Sequence, residues 1–283
     1  MPLSEMEFQK PLKPFLRWAG GKSRIVKLLA QNVPSNYGKY WEPFLGSGAL
    51  FFHLCHNSAY LSDSNRALID CYRYIRDYPE ESYDELEQLA RNISEEHYLS
   101  VRTTYNSSKA SVAQAARFIF LNKTSFNGIF RVNMKGEYNV PFGHKEHPAF
   151  PSLTQLRSIS ILLRNAQLEN HTFEQLSTNN LIGARDFVYL DPPYPPLTIT
   201  SNFTHYTAER FSWEDQEKVA QVASSLSLKG CFVMVTNSDI KEIRDLYKGW
   251  NHYSLPVVRW LAANGTRLKV NELIITNYAL KED

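Results

Sequence analysis

Hydrophobic and polar residues alternate in short runs toward both ends of the chain. The runs "GKYWEPF" and "SAYLSDSN" have the pattern of strands, and the apolar run "GALFFHLCHN", which follows a glycine turn, has that of a helix. Farther along, "DFVYLDPPY", "CFVMVTNS" and "NELIITNY" predict three more strands, with a helix from about Trp213 to Leu228 among them. This alternation predicts an α/β fold, a Rossmann-like sheet with helices on both faces.

The middle of the chain has a different pattern. From about Ala67 to Arg157 the sequence has helical periodicity rich in Glu, Tyr and Arg, then a loop with Gly and Asn, then the hairpin-like "MKGEYNVPFG". No run there resembles a buried parallel strand. We therefore predict that residues 67–157 are a mostly helical insertion with a β-hairpin, which divides an α/β domain into residues 12–66 and 158–280.

The strand in "DFVYLDPPY" is followed by an acid and two prolines. Proline donates no backbone hydrogen bond and forces the preceding residue into extended geometry, so Pro192 and Pro193 stop the strand. Asp191 is thereby held at the carboxyl end of the strand, with Tyr194 after the prolines. A plain proline-rich turn gives the same pattern, so this stretch alone assigns no function.

A glycine turn lies between the first predicted strand and helix, in "WEPFLGSGALFF". Gly46 and Gly48 would let the backbone approach a ligand closely, because neither has a Cβ atom. Asp63 follows the next strand, where an acid can accept hydrogen bonds from ribose hydroxyls. The third glycine of a dinucleotide fingerprint is missing, which favours a nucleoside over NAD. "AGGK" is not a phosphate loop either, because Leu16 stands where that motif requires glycine.

Composition narrows the class of protein only slightly. The chain is 43% hydrophobic and 21% charged with a net charge of +2, so bulk charge does not predict a nucleic-acid partner. Basic residues do gather in "KPFLRWAGGKSR" and "NKTSFNGIFRVNMKG", although a solvated surface has the same pattern.

The chain has an odd number of widely spaced cysteines, Cys55, Cys71 and Cys231, which predicts that the protein resides in the reducing cytosol. "HLCH" lacks zinc-ligand spacing, and no apolar run could span a bilayer, so we expect neither a metal nor a membrane.

Six segments, in their order along the chain, resemble the Dam-like, D12 class DNA adenine-N6 methyltransferases. They extend from about Pro14 to Tyr278 and read "FLRWAGGK", "EPFLGSGALFF", "LSDSN", "FNGIFRVNMKGEYNVPFG", "DPPY" and "NGTRLKVNELIITNY". The resemblance implies site-specific methylation of adenine N6 in double-stranded DNA, with S-adenosyl-L-methionine as methyl donor. The target that it suggests is GATC.

The resemblance also implies which residues form the active site. Asp191 and the Pro192 carbonyl would accept the N6 hydrogens of an adenine flipped out of the duplex, and Tyr194 would stack on the base. Pro193 completes the catalytic segment. Trp18 and Lys22 would line the methionine end of the methyl donor, and Asp63 would hold its ribose. The full set implied to bind the donor is Trp18, Lys22, Glu42, Pro43, Phe44, Gly46, Gly48, Asp63 and Asp191.

A further set of residues is implied to contact DNA. It comprises Arg17, Phe126, Asn127, Ile129, Arg131, Pro141 and Arg267. An arginine can read the O6 and N7 atoms of guanine, and apolar side chains suit a thymine methyl group. Two residues depart from the family pattern: Phe126 stands where tyrosine is frequent, and Arg17 where lysine is common. These departures affect sequence discrimination more than the reaction.

Other functions remain open at this point. Cytosine-N4, RNA and protein-glutamine methyltransferases share the fold, and a catalytically inactive DNA-binding module would share the surface. We expect a monomer in the cytoplasm, associated with the nucleoid. The sequence leaves open whether a cognate restriction endonuclease accompanies the protein.

Overall fold

The computed structural model describes residues 10–195, 211–260 and 267–280. Within these ranges the protein is an α/β structure with ten α-helices and seven strands. The strands are β1 Tyr40–Glu42, β2 Ala59–Ser62, β3 Ala166–Glu169, β4 Phe187–Leu190, β5 Phe232–Ser238, β6 Asn251–Trp260 and β7 Arg267–Thr276. The helices are α1 Val26–Gln31, α2 Ala49–Leu54, α3 Arg66–Asp77, α4 Pro79–Ala90, α5 Glu95–Ser107, α6 Val112–Thr124, α7 Leu153–Leu163, α8 Gln175–Thr178, α9 Trp213–Leu228 and α10 Lys241–Leu246.

The chain forms two compact units. One comprises Met1–Gln31 with Leu45–Asn170, and the other comprises Asn32–Phe44 with His171–Asp283. These boundaries differ from the predicted division into a catalytic domain and an insertion at residues 67–157, which stays a prediction. In the described part of the chain, no helix is long and apolar enough to cross a membrane.

The first unit combines a parallel strand pair with a group of helices. β2 and β3 pair in parallel from Ala59 opposite Ala166 to Ser62 opposite Glu169. α3 packs against α4, α6 and α7 through apolar side chains that are fully buried. Side-chain oxygens of Asn65, Ser94 and Ser111 cap the amino ends of α3, α5 and α6. Such caps satisfy backbone N–H groups that a helix cannot pair internally, which explains why these helices begin where they do.

Residues 125–142 form an irregular hairpin at the end of α6. Isolated antiparallel bridges join Ser125 to Phe142 and Val132 to Tyr138. The Asn133 side chain closes the tip by accepting backbone hydrogen bonds from Lys135 at 2.9 Å and Glu137 at 3.0 Å. Residues 67–157, all of which are described, contain helices and this hairpin but no regular strand, in agreement with the pattern read from the sequence.

Among its described residues, the second unit contains five strands in the order β1-β4-β5-β7-β6. β1, β4 and β5 are parallel, and β7 runs antiparallel to both β5 and β6. All four residues of β4 are buried, as expected for a strand covered on both faces. Pro256 lies within β6, opposite Asn271 of β7. A proline is tolerated there because β6 ends the order of strands in this unit.

A buried acid joins β1 to β4. The Asp186 carboxylate accepts hydrogen bonds from the Lys39 backbone N–H at 2.8 Å, the Trp41 indole at 3.0 Å and the Gly183 backbone N–H at 3.1 Å. A Cβ atom at Gly38 would lie 2.6 Å from this carboxylate, so the position has no room for a side chain. Asp186 therefore fixes the start of β4, the strand that leads to Asp191.

Candidate active site

The glycine turn of the first unit has the backbone that its sequence predicts. Gly46 and Gly48 have φ angles of 47° and 64°, and Gly48 precedes the first residue of α2. A Cβ atom at Gly46 would lie 2.7 Å from Cδ1 of Trp18. The close neighbour that requires glycine is thus the Trp18 indole, and the structure brings these two predicted donor-binding residues into contact.

Asp63 stabilises the same turn through hydrogen bonds. Its Oδ2 atom accepts from the Gly46 backbone N–H at 3.0 Å, and its Oδ1 atom accepts from the Asn65 backbone N–H at 2.9 Å. Burial raises the pKa of Asp63, and the hydrogen bonds from Gly46 and Asn65 oppose that rise. Each carboxylate oxygen has a second acceptor position. The contact with Gly46 is a structural role for Asp63 that the sequence did not reveal.

Trp18 also lies in an aromatic stack. Its ring is nearly parallel to Phe130, with centroids 5.8 Å apart, and to Phe118 at 6.5 Å. Phe118 belongs to α6 and Phe130 to the hairpin, so the stack joins the glycine turn to the predicted recognition segment. Neither phenylalanine was predicted. The neighbouring Lys22 is 5% exposed and donates to the Gly20 carbonyl at 2.6 Å.

In the second unit, the predicted donor-binding residues Glu42, Pro43 and Phe44 lie at the end of β1. Glu42 is 3% exposed and accepts from the Tyr40 hydroxyl at 2.9 Å. Pro43 is buried, and Phe44 is half-buried. Phe44 packs against Phe173, with ring centroids 5.2 Å apart, and against Phe211 at 5.9 Å. Phe173 and Phe211 were not predicted, because isolated aromatics in loops carry no periodic signal.

Asp191 lies directly after β4, as the sequence predicts. Its side chain is half-buried, while Pro192 is buried and Tyr194 half-buried. The Thr236 hydroxyl donates to Oδ1 of Asp191 at 2.7 Å. Pro193 is an exposed residue, and its carbonyl accepts a hydrogen bond from the Gln216 side chain at 2.7 Å. The acid and the two prolines are therefore held by side chains from β5 and α9.

The predicted DNA-contacting residues of the first unit fall into two groups, of which the first surrounds Arg17. Asn127 and Gly128 have φ angles of 54° and 64°, and a Cβ atom at Gly128 would lie 2.8 Å from Cδ of Arg17. The buried Asn122 amide accepts from the Arg17 backbone N–H at 2.8 Å and donates to the Arg17 carbonyl at 2.7 Å. Phe126 begins this loop and is 49% exposed. Arg17 and the loop thus form one surface, fixed by a residue that was not predicted.

The second group lies on the hairpin. Arg131 is exposed and donates from Nε to the Asn139 side chain at 2.7 Å and from Nη2 to the Asn139 carbonyl at 3.1 Å. Ile129 is half-buried, and the exposed Pro141 accepts a backbone hydrogen bond from Phe126 at 3.0 Å. Arg267 opens β7, but its side chain lies outside the described part of the structure, and its contact with DNA stays a prediction.

Two lysines add to the positive charge around Arg17. Lys123 is in the last turn of α6, and Lys145 donates from Nζ to the Lys123 carbonyl at 2.8 Å. Burial, together with the charges of Arg17 and Lys145, lowers the pKa of Lys123 to about 8. The pKa of Lys145 is lowered to about 8 by burial and by Arg17. Lys123 lies in a basic stretch of the sequence, but the sequence predicts a role for neither lysine.

Comparisons with known proteins show the family to which the chain belongs. Residues 18–263 match the family described as D12 class N6 adenine-specific DNA methyltransferase. The type II methyltransferase M1.LlaDCHI of Lactococcus lactis subsp. cremoris is 38% identical over 274 residues, covering 94% of this chain and 96% of that protein. M.MjaIII of Methanocaldococcus jannaschii is 36% identical over 289 residues, covering 94% and 99%. The DNA adenine methylase of Escherichia coli K12 is 32% identical over 274 residues, covering 94% and 95%.

The resemblance read from the six segments is therefore confirmed over nearly the whole chain. The enzymatic activity expected from it, methylation of adenine N6 in DNA, is the activity of the matching family. The chain belongs to the D12 class of N6-adenine-specific DNA methyltransferases.

Proposed function

We propose that this N6-adenine DNA methyltransferase acts on GATC in double-stranded DNA, on an adenine flipped out of the duplex, with Asp191 as its catalytic carboxylate. The observation that carries the proposed role of Asp191 is its position, at the carboxyl end of buried β4 with Oδ1 fixed by Thr236, whereas the GATC target rests on the family resemblance. Parallel α/β sheets bind their ligands at the carboxyl ends of the strands.

The proposed chemistry follows from the weak nucleophilicity of the adenine amino group. Its lone pair is delocalised into the ring, so N6 must be made more tetrahedral and directed at the methyl group. Asp191 and the Pro192 carbonyl would each accept one N6 hydrogen, and Tyr194 would stack on the base. Rate enhancement then comes mainly from orientation and electrostatics.

The residues around the glycine turn fit a nucleoside methyl donor. Gly46 and Gly48 provide backbone without Cβ atoms, and the carboxylate oxygens of Asp63 have second acceptor positions for ribose hydroxyls. The family implies S-adenosyl-L-methionine, which when bound supplies an electrophilic methyl group. We assign the ribose to Asp63, the methionine end to Trp18 and Lys22, and the remaining contacts to Glu42, Pro43 and Phe44.

We assign target recognition to residues 67–157 together with Arg17. Phe126 is the large apolar side chain exposed on the loop beside Arg17, and it suits a wedge or stacking role. Asn127, Ile129 and Pro141 lie on the same loop and hairpin. Lys123 and Lys145 add two cations close to Arg17. Cations of this kind bind phosphates and position a protein on DNA, whereas base contacts specify the sequence.

Replacing Arg131 with alanine is expected to relax discrimination at one base pair of the target by roughly 1–3 kcal/mol. The two bonds to Asn139 orient the guanidinium and leave further N–H groups for guanine. Methylation rates would be compared for the preferred site and each single-base variant. Asn139→Ala is the matched control, because it removes the side-chain acceptor of the Arg131 Nε atom but keeps the charge and the backbone carbonyl that accepts from Nη2. An equal loss on every substrate would make Arg131 a backbone contact.

The binding of DNA is expected to weaken as the pH rises above about 8, where Lys123 and Lys145 lose their protons in the free enzyme. A bound DNA phosphate stabilises the charged form of both lysines, so DNA binding above pH 8 is coupled to the uptake of protons. The free energy of unfolding should instead increase as the pH rises. The unfolded lysines keep the ordinary pKa of 10.5 and bind more protons between pH 8 and 10.5, so stability rises with pH across this window.

Fluorescence anisotropy with a labelled duplex at pH 7 to 9.5 and urea unfolding at the same pH values measure the two effects. Lys123→Gln should flatten both curves. Lys229→Gln is the control, because Lys229 also donates to a backbone carbonyl, that of Ser177 at 2.9 Å, but in the other unit. DNA affinity that stays constant across this range would remove the two lysines from the DNA surface.

The target sequence can be tested with plasmid DNA from cells that express the enzyme. We expect nucleases that distinguish methylated from unmethylated GATC to detect modification, and Asp191→Ala plasmid to remain unmodified. Modification at a different sequence would reject GATC. The relatives include both type II methyltransferases and DNA adenine methylases, so partnership with a restriction endonuclease stays open. We propose a monomer that acts on DNA in the nucleoid.

A further inference from the structure

A chain of buried hydroxyl groups ends at the Asp191 carboxylate. The Thr236 hydroxyl lies 2.7 Å from Oδ1 of Asp191, and the Tyr189 hydroxyl lies 3.0 Å from the Thr236 hydroxyl oxygen. An ionised carboxylate only accepts hydrogen bonds, so Thr236 donates its one hydrogen to Asp191. Tyr189 must then donate to Thr236, and the chain has one direction, from Tyr189 through Thr236 to Asp191.

A second chain, made of amides, ends at the backbone of the same segment. Asn237 donates from Nδ2 to Oε1 of Gln216 at 2.9 Å, and Gln216 donates from Nε2 to the Pro193 carbonyl at 2.7 Å. The Asn237 amide oxygen accepts from the Ser238 backbone N–H at 2.8 Å. Each amide orientation is therefore determined by a partner that can only donate or only accept.

Each chain contains a polar residue of β5 that follows three buried apolar residues of the strand. Val233, Met234 and Val235 of β5 are followed by Thr236 and Asn237, and all five side chains are 0% exposed. Gln216 of α9 is 2% exposed. Burial of polar groups is unfavourable unless they are hydrogen-bonded, and apolar residues would fill the same space without that requirement. The bonds that these residues make lead to Asp191 and Pro193.

We propose that Thr236 and Gln216 are positioning residues for methyl transfer: Thr236 orients the Asp191 carboxylate, and Gln216 fixes the backbone of the two prolines. This inference rests on the proposed catalytic role of Asp191. The bond from Thr236 sets the rotation of the carboxylate, and so the direction in which its other oxygen faces the adenine amino group. The bond from Gln216 prevents the proline segment from moving as a block.

Thr236→Val tests the first bond, because it removes the hydroxyl but keeps the branched shape. We expect kcat to fall about 10- to 100-fold, with KM for DNA and for the methyl donor within about threefold of wild type. Thr236→Ser, which keeps the hydroxyl, should restore kcat to within about threefold. A residue with only a structural role would change stability without this division between kcat and KM.

Two further variants separate the chemistry from folding. Thr236→Val leaves the Tyr189 hydroxyl without its acceptor, so the double variant with Tyr189→Phe removes both hydroxyls and should recover stability but not kcat. Thr276→Val is the matched control. Thr276 is also 0% exposed and donates to the Tyr278 carbonyl at 2.6 Å, in β7. It should leave kcat unchanged.

Gln216→Met tests the second bond, with an expected loss in kcat of about tenfold and little change in KM.

Comparison and combination of these variants with Asp191→Ala distinguish this inference from the proposed function. If Asp191→Ala is inactive but Thr236→Val and Gln216→Met both keep wild-type kcat, the positioning role is rejected and the catalytic role stands. If Asp191→Ala remains active, the proposed function itself is rejected. If Thr236→Val lowers the residual activity of Asp191→Ala by the same factor as in wild type, Thr236 does not act through Asp191, and the inference is overturned.

Discussion

Asp191→Ala is expected to reduce methyl transfer at least about 100-fold while DNA binding and the fold are retained. The variant removes the acceptor that holds one N6 hydrogen, so the amino group loses both its orientation and its activation. It also leaves the Thr236 hydroxyl without the partner that it has at 2.7 Å. Because Asp191 follows the buried strand β4 and is itself only half-buried, most packing around β4 should survive.

Single-turnover methylation of a duplex that contains the target measures this loss. Asp191→Asn is the matched variant, since it keeps the shape and one acceptor oxygen but replaces the other with a donor. We expect it to be impaired as well, with thermal unfolding and DNA affinity close to wild type in both variants. Near-wild-type turnover of the alanine variant would contradict the proposed activation of the amino group.

The second large effect is expected for Asp63→Ala, in the affinity for the methyl donor. A hydrogen bond to a charged group contributes about 1.5–3 kcal/mol, so the proposed loss of the ribose acceptor alone predicts at least tenfold weaker binding. The structure adds a reason, because the Gly46 and Asn65 backbone N–H groups both donate to this carboxylate. Without the Asp63 carboxylate, the Gly46 backbone N–H loses its acceptor, and the conformation of the glycine turn against Trp18 is no longer fixed.

Calorimetric titration with S-adenosyl-L-methionine measures that affinity, and anisotropy with duplex DNA serves as the parallel measurement. Asp77→Ala is the control: Asp77 is in the same unit and pairs with its neighbour Arg76, so its removal should leave the donor affinity unchanged. Unaltered donor affinity in Asp63→Ala would exclude Asp63 from the site.

Much of the fold could be predicted because its strands are short, apolar and bounded by turn residues. β1, β2, β4, β5, β7 and α9 lie where the sequence patterns indicate. β3 was missed because "AQLE" has exposed polar side chains at alternate positions and lacks the apolar run of the other strands. β6 was missed because Pro256 interrupts it. In both cases pairing with a neighbouring strand, rather than local propensity, determines the structure.

The residues of the candidate site likewise fall into those that the sequence reveals and those that only the structure reveals. The positions of Asp63 and Asp191 directly after strands could be predicted, since acids at strand ends and glycine turns leave local marks in the sequence; their roles stay predictions. Thr236, Gln216 and Asn122 could not, because a buried polar residue gives no sign of its partner. Asn122 bonds to Arg17, which is 105 positions away in the chain. Such contacts are set by tertiary packing, and only the folded structure identifies them.

Mass spectrometry of nucleosides from a methylated duplex tests the proposed reaction most directly. A duplex with a single GATC site would be incubated with methyl-labelled S-adenosyl-L-methionine and either wild-type enzyme or Asp191→Ala, then digested to nucleosides. The proposed reaction predicts labelled N6-methyladenine with the wild-type enzyme and almost none with Asp191→Ala. Labelled N4-methylcytosine, or equal labelling by both enzymes, would contradict it.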